Sequence, residues 1–258
     1  MSSLVKAKDV LRLMSRMRRD LTVMDIANGL GLPKSSVSRT LSLMAEQEFL
    51  ERDPVTRAYR PGALVMEASY HFRAARSARM LLEEELGKLV DEIGYTGYVV
   101  MLDGSESLVI HMRTGRAGTL QAYTPVGTRA PAYATSMGRA QLSHLTDAEA
   151  LDRVGTTFEP IGEAPRDQAE LCGQLADIRV RGWAFSHDEF VLDVAGTASA
   201  VRDPGTGQIL GIGLAFPARD RNDALVARCG AAVRDAASRV GRHIGDPSWL
   251  AFEAPAAE

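Results

Sequence analysis

Cysteine is scarce in this sequence. The 258 residues contain two, Cys172 and Cys229, far apart and without the spacing of a metal-ligand pair. A disulfide framework and a cysteine-held metal are therefore not expected, and both thiols read as reduced core residues of a cytoplasmic protein. Long apolar runs are missing as well. No stretch approaches the ~20 apolar residues of a membrane span, and the N-terminus carries no run of the signal-peptide kind. Neither export nor a membrane is expected. There is no Gly-X-Ser-X-Gly elbow, His-Glu-X-X-His pair or phosphate loop. His111, His144 and His187 as bases, Ser136 and Ser186 as nucleophiles, and Asp188 with Glu189 as acids form no recognisable catalytic motif. No catalytic residue, metal or cofactor is assigned. Internal repeats and low-complexity blocks are also missing, apart from a loose Ala, Pro and Glu tail over residues 251–258.

What is present begins with "MDIANGLGLPKSSVSRTLSLM", Met24 to Met44. Ile26, Ala27 and Leu30 recur at helical intervals, Gly31 ends that segment, and a second helix restarts at Pro33-Lys34 with Val37, Leu41 and Met44 as its apolar positions. Ala27, Gly31 and Val37 fall at the offsets of a helix-turn-helix. Steps of about 100° per residue then turn Ser35, Arg39 and Ser42 outward, with Lys34, Ser36 and Ser38 near the helix start. Small hydroxyls and cations at that end suit phosphates, and an outward arginine can reach a guanine edge in the major groove. As an isolated helix it would read rather as a solvated face with a serine at an N-cap position.

The context decides between those readings. "FLERDPVTRAYRPG", Phe49 to Gly62, reads as two short strands around an Asp-Pro turn, with Arg57, Tyr59 and Arg60 on the second as DNA contacts, Arg57 and Arg60 sharing a face toward phosphates. Upstream, Val10, Leu11, Leu13, Met14 and Met17 supply the stripe of a first helix that completes a three-helix core. Charge agrees with this division. Residues 1–62 carry 11 Lys and Arg against 7 Asp and Glu, while the rest carries 19 against 26, so the basic end suits DNA and the acidic end does not. The expected organisation is a winged helix-turn-helix DNA-binding domain at 1–62, a linker helix at 63–76, a sensor domain at 77–250, and a tail at 251–258.

Beyond the linker, Ser77 to Ile93 reads as a helix, followed by strands "YTGYVVML", "LVIHMR" and "GTLQAY" and a turn through "PVGTRAP". Helices are expected near Ser136 and over Gln168 to Val180, then strands "GWAFSH", "TASAVRD" and "QILGIGLAF", and a closing helix from Asp223 to His243. The fold class is α+β, with a mostly antiparallel sheet in the second domain.

Winged domain, "VGTRAPAYATSMGRAQL", "RGWAFSHDEF" and a Gly-rich hairpin together resemble the IclR family, the isocitrate lyase regulator type of bacterial transcription factor. The likeness runs from Lys6 to His243. Tyr133 stands where the family usually has His, Ser136 where it has Ala, and Arg139 where it has Lys, while Asp188 and Glu189 are in place. The resemblance implies a GAF-like effector domain, dimers that often pair into tetramers, double-stranded operator DNA as partner, and small organic acids or aromatic catabolites as effectors. It implies a pocket lined by Thr119, Ala122, Ala130, Ser136, Met137, Ser186, Gly196, Gly213 and Ala215. Gly196, Gly213 and Ala215 bring no hydrogen-bonding side chain, which favours a bulkier or more apolar ligand than a compact two- or three-carbon acid.

The residues themselves suggest how an acid would be held. A helix starting at Ser136 would offer the N–H groups of Met137 and Gly138, at the positive end of its dipole, to a carboxylate. Alternatively Thr135 or Ser136 only caps that helix and Gly138 permits close packing. The expected function is a ligand-responsive transcriptional regulator, a repressor rather than an activator; the alternative is a small-molecule-processing enzyme with a fused DNA-binding domain.

Overall fold

A computed structural model describes all residues except 1–2, 18, 75–77, 117–120, 156 and 253–258, and leaves undescribed the side chains of 15, 16 and 69–74. It divides into two compact units, residues 1–75 and 76–258.

In the first unit, α1 (Ser3–Met17), α2 (Val23–Leu30) and α3 (Lys34–Glu46) form a three-helix core. Thr22 starts α2 through a capping box with Asp25, and Gly31 stops it at φ 63°, a left-handed conformation that glycine adopts without steric cost. The chain can then turn sharply into Pro33 and α3. Val37, Leu41 and Met44 are buried against Val10, Leu13, Ile26 and Leu50. At ~1.5 to 3 kcal/mol per fully buried large apolar side chain, this small core is what fixes α3. Strands β1 (Leu50–Arg52) and β2 (Tyr59–Pro61) pair antiparallel, and Leu21 bridges to Tyr59 on the other side of β2. The turn between them is braced by Asp53, whose Oδ1 accepts from the backbone N–H groups of Val55 and Thr56 at 2.9 and 2.7 Å. Helix α4 (Ala63–Ala74) follows.

The second unit is built on a six-stranded antiparallel sheet. In chain order come α5 (Ala78–Ile93), β3 (Thr96–Asp103), β4 (Glu106–Arg113), β5 (Arg129–Pro131), α6 (Ser136–Leu142), α7 (Asp147–Val154), α8 (Gln168–Arg181), β6 (Ala184–His187), β7 (Val194–Arg202), β8 (Ile209–Pro217), α9 (Asp223–Ile244) and α10 (Pro247–Ala251). Strand order across the sheet is β5-β4-β3-β8-β7-β6. The long helices α5 and α9 cover one face, where Leu82, Leu86, Val233 and Val240 meet Val99, Ile212, Leu214 and Phe216. Helices α6 and α8 cover the other, where Leu142, Leu171 and Leu175 meet Ala198, Ala200 and Ile209.

Four elements differ from the sequence reading, one of them the short α10, which follows the helix expected to close the domain. The described part of "GTLQAY", from Gln121, is irregular rather than a strand, and its first three residues lie outside the described residues. Residues 129–131, read as part of a turn, pair with β4 as β5. Helix α7 was not foreseen, although the Thr146–Glu149 capping box that starts it is a sequence-level signal.

Candidate functional site

On α3 the inward positions leave Lys34, Ser35, Arg39 and Ser42 exposed on the other side of the helix. Ser38 is half-buried. Ser36 is turned toward α1, where its hydroxyl accepts from Lys6 Nζ at 2.7 Å. The Arg39 guanidinium makes no hydrogen bond or ion pair with any described residue, so its donors are available to an external partner. The wing differs from expectation in two respects. Tyr59 is buried at 2 % exposure in the core and lies under Arg52, 5.3 Å from the ring, so it is a packing residue rather than a DNA contact. Arg57 and Arg60 do not share a strand face, because Arg57 precedes β2 in the turn at φ 62°. Arg57 is exposed, whereas Arg60 forks onto Glu51 at 2.7 and 3.2 Å and holds that carboxyl below its ordinary range.

In the second unit, β3, β4, β5, β7, β8 and the start of α6 enclose a chamber of about 100 Å³. Ala130, Ser136, Met137, Ser186, Gly196 and Ala215 line it. Ser186 donates its hydroxyl to Ser136 Oγ at 2.9 Å, which puts a pair of hydroxyls at one end. Val100, Val109, Phe190, Val191 and Val194 make the rest largely apolar. Tyr98 was not singled out from sequence, although it shares its side of β3 with Val100. Its hydroxyl donates to the Ala122 carbonyl at 3.0 Å and accepts from the Thr124 N–H at 2.9 Å, and burial pushes the phenol pKa up, so it stays neutral. Ala122 thus meets the site through its carbonyl and its packing beside Tyr98. Thr119 lies outside the described residues.

Two expected pocket residues serve α6 instead. The Gly138 N–H donates to Thr135 Oγ1 at 2.9 Å, so the helix cap uses the donor proposed for a carboxylate. A Cβ on Gly138 would fall 2.1 Å from the Ala132 carbonyl oxygen, and close packing is the reason for glycine there. Gly213 does not line the chamber; a Cβ there would lie 2.8 Å from the Thr197 carbonyl and 3.0 Å from Met137 Cε. On Gly196 the added atom would lie 3.2 Å from Ser136 Oγ. The glycines therefore seat α6 on the sheet, and Met137 fills volume that the sequence reading left to a bulky ligand.

One strong ionic contact fixes that seat. Arg139 is 1 % exposed, and its Nη1 and Nη2 donate to Glu189 at 2.6 and 2.7 Å and to the Tyr133 and Phe185 carbonyls at 2.8 and 2.7 Å. Glu189 lines the chamber, so the loop between β6 and β7 is tied to α6 at the chamber wall. Of the groups weighed for catalysis, Ser136, Ser186 and Glu189 share the chamber, with Glu189 committed to Arg139. Ser186 bonds Ser136 rather than a base, His187 lies 3.1 Å from the half-exposed Asp188, and His111 lies 3.8 Å from Glu83.

Two family descriptions cover most of the chain: "IclR helix-turn-helix domain" matches residues 3–54, and "Bacterial transcriptional regulator IclR C-terminal" matches residues 75–242. The chain belongs to the IclR family. Among IclR relatives, the HTH-type transcriptional regulator XynR of Escherichia coli (strain K12) is 26% identical over 250 residues, covering 95% of this chain and 98% of its own. The acetate operon repressor of Salmonella typhimurium is 25% identical over 249 residues, covering 92% and 88%. A solved IclR regulator from Alicyclobacillus acidocaldarius superposes with TM-score 0.78 at 22% identity, covering 93% and 97%. An IclR homologue from Microbacterium hydrocarbonoxydans, solved with 4-hydroxybenzoate, superposes with TM-score 0.76 at 20% identity, covering 95% and 99%. The IclR assignment makes the chain a DNA-binding transcriptional regulator with an effector-binding C-terminal domain. No helix among the described residues is long and apolar enough to cross a membrane.

Proposed function

We propose that this regulator represses transcription in the cytoplasm, has no catalytic activity, binds operator duplex through α3 and the wing, and responds to a small effector held in the chamber beside α6. Residues 1–62 engage DNA, 63–76 link, and 77–250 sense the effector and hold a homodimer that can pair into a tetramer, leaving the tail at 251–258. Dimerisation follows from operator geometry, since two recognition helices are needed to read half-sites about one helical turn apart. The observation that carries the DNA reading is Arg39, exposed among Ser35, Ser38 and Ser42 with no partner among the described residues. The wing contribution rests on Arg57, because Glu51 neutralises Arg60.

The effector is a small organic molecule, carboxylate-bearing or aromatic. Its polar end is held by the Ser136 and Ser186 hydroxyls, and its body lies against Val100, Val109 and Ala215. The 4-hydroxybenzoate complex of a structural relative supports that class. The experiment is enrichment of duplexes from a random pool by the full chain, followed by a thermal-shift screen of short carboxylates. An enriched two-fold symmetric sequence is expected, together with an acid whose stabilisation is lost in Ala215→Val while operator affinity is kept. Failure to enrich any sequence would overturn the DNA reading, and stabilisation that survives in both Ala215→Val and Ser136→Val would overturn the pocket.

A further inference from the structure

The effector unit holds a second cavity, a cleft of about 650 Å³ at the opposite end of α6, bounded by α7, α8, β7 and α10. Its size falls within the ~300 to 1,000 Å³ usual for small-molecule sites, which the chamber at the start of α6 does not reach. Its wall includes His144, Arg202, Trp249 and Phe252, and it shares no lining residue with the chamber.

Most polar groups in the cleft are already committed. Arg179 pairs with Asp147 at 2.7 Å and donates to the Ser143 and Leu145 carbonyls at 3.0 and 2.8 Å. Glu149 accepts from Thr146 in the cap of α7. Asp246, fully buried, accepts from the Arg202 N–H at 2.7 Å and the Ser248 N–H at 2.9 Å. Ser199 donates to the Gly182 carbonyl.

Of the titratable groups in the cleft, two are not committed. The exposed Arg202 guanidinium makes no hydrogen bond or ion pair with any described residue. The His144 side chain is 8 % exposed, and its Nδ1 has no hydrogen-bond partner among the described residues. Nδ1 lies 3.7 Å from Asp246 Oδ2, and the ring also interacts with the Ala200 carbonyl. In the neutral tautomer that carries its proton on Nε2, Nδ1 keeps a lone pair facing the Asp246 carboxylate, which can only accept. A buried acceptor in that position calls for an external donor. Trp249 and Phe252, edge to face at 4.9 Å between centroids, add an apolar corner of two inclined rings.

We propose that this cleft is a second ligand site, for a planar hydroxylated monocarboxylate whose carboxylate pairs with Arg202, whose ring lies against Trp249 and Phe252, and whose hydroxyl donates to His144. The test uses 6-hydroxy-2-naphthoate, which is too large for the chamber, with 2-naphthoate as the hydroxyl-free control, titrated calorimetrically into the full chain. One molecule should bind per chain, at least tenfold more weakly in Arg202→Met and at least fivefold more weakly without the hydroxyl. Ala215→Val should bind it as wild type does, and Arg202→Met should keep operator affinity, which serves as the fold control. Absence of binding to wild type, binding abolished by Ala215→Val, or indifference to Arg202→Met would overturn the proposal. Equal affinity for 2-naphthoate would overturn the ligand class. None of these results bears on the smaller chamber, whose test is the separate screen with short acids.

Discussion

Two arginines on two short helices have opposite circumstances. Arg39 on α3 is exposed and bonds none of the described residues, while Arg139 on α6 is 1 % exposed and makes four hydrogen bonds, two of them to Glu189. An arginine whose donors are satisfied internally holds structure together, and one whose donors are free can serve recognition. The residue type is the same in both places. The difference lies in whether a carboxylate and carbonyls are within reach.

That contrast can be broken most severely at Arg139. Replacing it with alanine leaves Glu189 buried without a counter-charge, and should cost about 3–5 kcal/mol in urea denaturation. A loss below about 1 kcal/mol, the worth of an exposed pair, would show that the contact does not hold α6. Next comes Gly213→Leu, which drives a side chain into Met137 and the Thr197 carbonyl and should destabilise by about 1–3 kcal/mol through overpacking. A variant as stable as wild type would mean that α6 is not closely seated there. Arg39→Ala should move stability by no more than ~0.5 kcal/mol while weakening operator binding by about 1–3 kcal/mol. An anisotropy titration with unchanged affinity would remove Arg39 from the interface.

Smaller effects sharpen the comparison. His144 is held below its ordinary pKa of 6.5 by burial, with Asp246 and the Ala200 carbonyl partly offsetting this and Arg202 and Arg179 adding to it. As pH falls, the unfolded chain takes up this proton before the folded one does. The contribution of His144 to stability is therefore intact above about pH 6.5 and is lost below it. His144→Gln should flatten the stability curve in that range, and an unaltered curve would show that the ring titrates alike in both states. The smallest expected effect is in the wing. Arg57→Ala should reduce the salt slope of DNA binding by about one, and Arg60→Ala by less because Glu51 already neutralises it. Equal changes in both would mean that Glu51 releases Arg60 on binding DNA.

What could be read from sequence was what depends on neighbours in the chain. Ala27, Gly31 and Val37 place a corner between two helices, and the period of Val37, Leu41 and Met44 correctly leaves Arg39 outside. The wing was misread because Arg57 was treated as a strand residue. The Asp53 turn holds it at positive φ, so alternation starts only at Tyr59, which faces the core. The chamber was harder still. Its volume depends on Met137 lying over Gly213, and its wall on a contact between Arg139 and Glu189, fifty residues apart. No local period reports either.

Helix α6 is seven residues long, about 10 Å from end to end, and a helix of that length moves as a rigid rod. Ser136 and Met137 at its start belong to one cavity; Ala140 within it, and Ser143 and His144 just after it, belong to another. An occupant that tilted the rod at one end would alter the space at the other, whereas a methyl added on β8, as in Ala215→Val, leaves the rod in place. Where such a tilt occurs, occupancy of the two cavities is thermodynamically linked, and whatever factor one occupant applies to the affinity of the second, the second returns in equal measure. Two occupants favouring the same tilt reinforce each other, and two favouring opposite tilts compete without ever touching.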